Sequence, residues 1–373
     1  TAAIRALAAS LEKAFETLPT RWLAVRHITN EQLAELLRQP ILSRLDALTV
    51  QLDVRDEPND EAATMVAACP HLKNLRGFHV AFDFGEAGAE SLTRSENLQQ
   101  VERLTFYHDW RVPTGKWFPN LRELSLVDNF SAESSERLCA LDPFLRLHTL
   151  SISDWGYTDS GWQAFAKSRA FPGPTRLNLT RVYLGEGRME TLARAGWLRP
   201  AYLDLNSCIM GNDGAVAIAS APWLDLVRWL GLGANRLSSS GVAAITSSKK
   251  LSGLKHLDLS HNNVGAGGLR AIVANPALRG LLGLNLCDSS RTFRRVPSEH
   301  IREFLSNLDM PQLRFLSLRG LPLGAKVARL LANPKFASLT RLDLGGCRLT
   351  DAVVKALLEA PALQNLIELR LLS

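Results

Sequence analysis

The chain has no apolar run long enough to cross a bilayer, which would need about 20 residues. No secretory leader is read at its start, and because it opens on Thr1 an upstream segment is left open. Cysteine is scarce: Cys69, Cys139, Cys208, Cys287 and Cys347 are scattered along 373 residues with no cysteine-rich flank. That argues against a disulfide framework and reads as buried thiols in a reducing compartment, so a cytoplasmic location is expected. Neither sign of charge is in large excess. The formal net charge is +6, with Lys and Arg interspersed among Asp and Glu, which reads as a solvated surface and speaks against a nucleic-acid partner.

Signatures of chemistry are missing as well. There is no Gly-Lys-Ser/Thr phosphate motif, and Gly231-x-Gly233 lacks the third glycine of a dinucleotide loop. His256, Asp258 and His261 fall short of a metal set, since only the first two share a strand face and no further ligand is evident. Cys287 has no base beside it. No catalytic residue, cofactor or metal is therefore expected, and the chain is read as a non-enzyme.

What the sequence does have is a period. The stretch Leu254-Lys-His-Leu257-Asp-Leu259-Ser-His-Asn262-Asn-Val264-Gly265 follows the pattern L-x-x-L-x-L-x-x-N and ends in a glycine turn. A short apolar helix closed by Pro276 comes next. Taking the second leucine as anchor, the same pattern recurs at Leu23, Leu48, Phe78, Leu104, Leu124, Leu150, Leu177, Leu203, Leu230, Leu257, Leu284, Leu316, Leu342 and Leu369. Nine of the thirteen spacings are 26 or 27 residues, so the period is no accident of a leucine-rich composition. Pro40, Pro70, Pro222, Pro276, Pro334 and Pro361 all fall eight residues before an anchor, where proline would stop each helix.

This pattern resembles the leucine-rich repeat, whose period is about 20–29 residues. The unit at Leu257, with Asn262 and Gly265, is similar to the ribonuclease-inhibitor subclass. Leu342-Asp-Leu-Gly-Gly-Cys347 resembles the cysteine-containing subclass. The resemblance covers about residues 20–373 and implies an α/β fold: a right-handed solenoid or horseshoe with a parallel concave sheet and convex helices. Side-chain direction gives the reason. In L-x-L both leucines point to one face of a short strand, and one unit cannot bury them alone, so neighbours must stack. Five residues after the anchor the side chain is expected to turn inward. That position holds Asn129, Asn235 and Asn262, then Cys208 and Cys347, and in the early units Asp53, Asp83 and Asp109.

Residues 1–17 read as one amphipathic capping helix, followed over 18–373 by about 14 units. The first strand is expected from Trp22 and its helix from Asn30, with further helices near 60–68 and 86–94. The segment 107–117 holds Pro113 and Gly115 and reads as irregular, with Trp110 and Trp117 packing in place of a helix. An insertion at 288–297 carries Arg291, Arg294 and Arg295, a solvated loop or a secondary docking loop for an acidic partner. Ser298 is expected to cap the helix after it. The chain stops in mid-unit at Ser373, so it is either a fragment or has its last strand edge covered by a second chain.

Three outward positions per strand line the concave wall. The stripe before the anchor reads Arg176, Tyr202, Trp229, His256, Gly283, Phe315, Arg341. The stripe after it reads Asn178, Asp204, Gly231, Asp258, Asn285, Ser317, Asp343, and the third includes Thr180, Asn206, Gly233, Ser260, Cys287 and Arg319. Aromatic rings, arginines and a polar rim side by side are the material of interface hot spots. The competing reading is that the rings merely shield the sheet. The expected partner site is Arg176, Asn178, Tyr202, Asp204, Trp229, His256, Asp258, Asn285, Phe315, Arg319 and Arg341. The resemblance implies a protein–protein interaction scaffold. The alternative is a regulator of an enzyme, similar to leucine-rich GTPase-activating proteins or to the substrate-recognition part of a ligase.

Overall fold

The computed structural model describes residues 2–17, 21–53, 58–107, 117–127, 132–141, 143–153, 159–185, 187–287, 297–321, 323, 330–347 and 349–371. The chain divides into two units, Thr1–Arg176 with Gly196–Leu198, and Leu177–Ala195 with Arg199–Ser373. The first contains α1 (Ala2–Thr17), β1 (Trp22–Ile28), α2 (Asn30–Leu37), β2 (Ala47–Leu52), α3 (Asp60–Ala68), β3 (Gly77–Ala81) and α4 (Glu86–Arg94). It continues with β4 (Arg103–Tyr107), β5 (Glu123–Val127), α5 (Ala132–Cys139), β6 (Thr149–Ser153) and α6 (Asp159–Lys167).

Strands β1 to β6 pair in parallel and in chain order. Their register aligns the anchors Leu23, Leu48, Phe78, Leu104, Leu124 and Leu150 side by side. All six are buried, as are Val25, Val50, Val80, Phe106, Leu126 and Ile152 two residues on. This is the period-2 alternation of a sheet with one face on the core. Here the strands run five to seven residues, and that overturns the expectation for Asp53 and Asp83, both of which are exposed. In a strand that continues past the anchor, an odd offset lands on the solvent face. At β1 a bulge at His27 (φ 56°) shifts the register and returns Ile28 to the core.

Helix α2 starts where expected, with Thr29 and Gln32 forming a reciprocal capping box. Helix α1 packs against α2 and the 3-10 turn Pro40–Arg44. Phe15 is buried there, and its ring lies 5.7 Å from the Arg44 guanidinium. Trp117 is buried, stands edge-on to Phe118 at 4.8 Å, and donates from Nε1 to the Leu92 carbonyl at 3.0 Å. It packs as the sequence suggested. Trp110, Asp109, Asn129, Arg291, Arg294 and Arg295 lie outside the described residues.

Strand β7 (Arg176–Asn178) enters the second unit at Leu177. There follow α7 (Arg188–Ala193), β8 (Tyr202–Asp204), α8 (Gly211–Ser220), β9 (Trp229–Gly231), α9 (Ser239–Thr246), β10 (His256–Asp258) and α10 (Gly265–Ala274). The chain then forms β11 (Gly283–Asn285), α11 (Ser298–Asn307), β12 (Phe315–Ser317), β13 (Arg341–Asp343), α12 (Asp351–Leu358) and β14 (Glu368–Arg370). Strands β8 to β14 are again parallel and in chain order, with Leu203, Leu230, Leu257, Leu284, Leu316, Leu342 and Leu369 in register.

Each of these strands is only three residues long, so the chain turns soon after the anchor and position five does go inward. Asn235 and Asn262 are buried, as are Cys208 and Cys347. Asn235 Oδ1 accepts the Cys208 N–H at 3.0 Å, and its Nδ2 donates to the Leu205 carbonyl at 2.7 Å. Cys208 Sγ and Cys347 Sγ donate to the carbonyls of Leu179 (2.9 Å) and Leu318 (3.1 Å). A polar side chain at this point thus satisfies backbone groups that stacking would otherwise leave buried and unpaired.

Two local expectations are corrected. The six prolines do more than stop helices, because each opens a 3-10 turn that leads into the next strand. Proline suits this place, since its fixed φ fits the first helical position and its missing N–H is not needed there. Ser298 does not cap α11. The capping position is Pro297, and Ser298 is already helical.

Candidate partner-binding face

The residues expected at a partner site stand on the outward face of short strands, placed there by the leucines that point the other way. Arg176 belongs to the first unit and is exposed. The others belong to the second. Pairing puts Tyr202, Trp229, His256, Gly283, Phe315 and Arg341 in one row and Asp204, Gly231, Asp258, Asn285, Ser317 and Asp343 in the next. The third stripe is not a continuous exposed line, for Gly233, Ser260 and Cys287 are buried while Arg319 is exposed. With strands so short, that position lies in the turn, where the pleat no longer sets direction.

Tyr202 and Trp229 stack with ring centroids 4.1 Å apart and planes 9° from parallel. That is closer than the ~4.8 Å strand spacing, so the two rings lean toward each other. The indole also runs along its own strand: a Cβ built on Gly231 would sit 2.6 Å from Cζ3 and Cη2. His256 leans the other way, over Gly283, where a Cβ would lie 2.4 Å from Nδ1. Glycine at 231 and 283 is what lets each ring lie down on the sheet. Farther along, the Arg341 guanidinium lies over the Phe315 ring at 5.0 Å, and Arg319 Nη1 is 3.9 Å from Asp343 Oδ1.

One feature of the middle row escaped the sequence reading. Oδ1 of Asn178, Asp204, Asp258, Asn285 and Asp343 each accepts the N–H two residues on, at 3.0, 3.0, 2.8, 3.1 and 2.9 Å. These are Asx turns that end the strand, so each side chain has a structural duty beside any contact with a partner. The recurrence of Asp or Asn one residue after the anchor was the available signal. A second missed feature is the left-handed backbone four residues after the anchor. It is occupied by Arg181, Ser207, Ala234 and His261 (φ 55° to 62°) and by Gly320 and Gly346. Only the last two carry the residue type that would have revealed it.

The electrostatics divide this row. Burial pushes the Asp204 carboxyl above its usual range, and the charge of Asp258 pushes the same way. The Asn206 N–H and the Tyr202 side chain, both hydrogen-bonded to Asp204, pull it back. Burial lowers the pKa of His256, and the charge of Arg341 lowers it further. The face is therefore acidic at β8–β10 and basic at β12–β13. Among the described residues no group of three or more His, Cys, Asp or Glu could hold a metal ion. No described helix is long and apolar enough to cross a membrane. None of the five cysteines forms a disulfide, and all but the half-buried Cys139 are buried.

In each unit a strand, a turn and, in most of the described repeats, a helix recur, mostly every 26 or 27 residues, on parallel strands paired in chain order, which defines α/β repeats. The family model for the leucine-rich repeat matches residues 202–219, 252–273 and 337–358, so these segments carry leucine-rich repeats. No curated protein sequence matches it. Among solved structures it is similar to a Bacteroides fragilis protein (13% identity over 82% of this chain and 78% of that one, TM-score 0.39). It is also similar to a chain of the yeast Rad7–Elc1 complex (16% identity, 97% and 86%, TM-score 0.49). A third likeness is to the TLR13–ssRNA13 complex (16% identity, 94% and 51%, TM-score 0.41), of whose chain this one spans about half.

Proposed function

We propose that the protein is a non-enzymatic interaction scaffold that holds another protein on the outward face of its sheet, centred on Tyr202, Trp229 and His256. The observation that carries this reading is the Tyr202–Trp229 stack, two large rings on a sheet face rather than in the core. Leaving aromatic area half in water forgoes burial free energy that a partner would recover, and Trp, Tyr and Arg dominate measured interface hot spots. The polarity of the face would orient the guest, with basic groups toward Asp204 and Asp258 and acidic groups toward Arg319 and Arg341. Asn178, Asn285 and Phe315 form the rim of the proposed surface within the second unit. A helix on the back of the units at Leu257 and Leu342 accords with the ribonuclease-inhibitor-like and cysteine-containing subclasses suggested by sequence.

The test compares partner capture by the wild-type chain with capture by Trp229→Ala and Tyr202→Ala, each checked for an unchanged melting profile. Loss of capture in both supports this face as the docking surface. Undiminished capture by both rejects it.

A further inference from the structure

Resting on that reading, the question becomes which chemical group the centre of the face receives. Trp229 and His256 are register partners on adjacent strands, yet their rings lean apart, one toward Tyr202 and the other over Gly283. Among the described residues Tyr202 is the one ring against Trp229, so no second ring stacks on the indole face turned toward β10, and Trp229 is half-buried. Beside that face stands Asp258. Its Oδ1 is taken by the Ser260 N–H at 2.8 Å, whereas its Oδ2 has no partner among the described residues. Asp204 lies on the other side of Gly231, with Oδ1 2.9 Å from where a Cβ on that glycine would be.

The cations of this face are used elsewhere. Arg319 is 3.9 Å from Asp343, and Arg341 lies over Phe315. No described Lys, Arg or His comes within 4 Å of either Asp204 or Asp258. These two carboxylates flank the half-buried indole without a counter-charge among the described residues, whereas Asp343, at the same position three strands beyond Asp258, has Arg319.

We propose that the space between the Trp229 and His256 rings is a slot for one arginine side chain of the partner protein. The guanidinium stacks on the indole face turned toward β10 and hydrogen-bonds the Asp258 carboxylate, while Asp204 supplies a second negative charge across Gly231. A planar guanidinium matches such a slot in shape, because it offers a flat face to a ring and in-plane N–H groups to a carboxylate. An ammonium is a strongly hydrated point charge and makes only the second kind of contact. His256, with its lowered pKa, forms the far wall as a neutral ring that does not repel the guest.

The substitutions that test this keep the fold. Asn178 and Asn285 already make the same Asx turn that Asp204 and Asp258 make, so Asp204→Asn and Asp258→Asn remove charge and leave the turn. The probe is a displayed library of random peptides panned on the purified chain. Selected peptides are resynthesised with citrulline, and separately with lysine, in place of each arginine. The expected result is a shared arginine, with affinity lowered tenfold or more by citrulline, by lysine, and by the Asp204→Asn/Asp258→Asn double variant, and abolished by Trp229→Ala. Peptides that Trp229→Ala abolishes but that need no arginine, or accept lysine equally, overturn the slot and leave the docking face standing. Peptides insensitive to Trp229→Ala, or no selected peptides at all, overturn both.

Discussion

Asn262 accepts the backbone N–H of Asn235 on the neighbouring turn at 3.0 Å. The same Oδ1 takes the Leu237 N–H at 3.0 Å, and Nδ2 donates to the Leu232 carbonyl at 2.7 Å. One buried side chain thus satisfies backbone groups of the preceding repeat unit that have no strand partner. Asn262→Ala is expected to cost about 3 kcal/mol, because buried donors and an acceptor would lose their partners together. Asn262→Cys is expected to cost less, since Cys208 holds the equivalent place and still reaches a carbonyl. Denaturant unfolding of both variants checks the order, and equal losses would contradict it.

Ile209 adopts φ 52°, a left-handed conformation unfavourable for a β-branched residue, and its side chain is 36% exposed. Ile209→Asn should therefore stabilise the protein by about 1 kcal/mol, with little packing lost. A lowered unfolding midpoint would count against that conformation.

Burial pushes the thiols of Cys208 and Cys347 up to about 12. The thiolate is the reactive form, so neither should be alkylated by iodoacetamide at pH 8 in the native protein, and both should be in denaturant. Mass spectrometry of the two samples reads this directly. Labelling of either thiol in the native sample would show that it is reached by solvent.

His79 and His256 both have pKa values lowered below 6.5, each mainly by burial and further by an arginine, Arg103 for the first and Arg341 for the second. In each case the folded state binds its proton later than the unfolded chain does. Their contribution is thus present above pH 6.5 and is lost as pH falls through the lowered folded value. Stability should decline on that acid side, and a His79→Gln/His256→Gln double variant should decline less. Unfolding midpoints between pH 7.5 and 5 test the difference.

Asp204 carries the opposite sign. Burial, helped by the charge of Asp258, raises its pKa, so its ionised form is disfavoured by folding at neutral pH. Asp204→Asn keeps the turn and should leave stability at pH 7 equal or higher, an advantage that fades as pH falls to the ordinary carboxylate range. At the arginine slot the same substitution weakens binding. A variant that melts no lower and binds worse separates a recognition role from a structural one.

The repeat period, the anchor leucines and the outward stripes were legible in the sequence because each rests on a local rule, the two-residue alternation of a strand and the need of one unit to borrow its neighbour's core. The inward asparagines at 235 and 262 were legible for the same reason. Asp53 and Asp83 were misread because they depend on where a strand ends, and β2 and β3 run longer than the strands of the second unit. The Asx turns at Asp204 and Asp258 were hidden behind a residue type that suits a binding face equally well.

By itself the sequence determined which face of strands β1 to β13 is buried, since an apolar residue every second position leaves no other arrangement that keeps apolar surface from water. Only the tertiary structure decided which way Trp229 and His256 lean. That choice depends on the glycine at 231 along one strand and the glycine at 283 across to another, contacts that no one-dimensional spacing records.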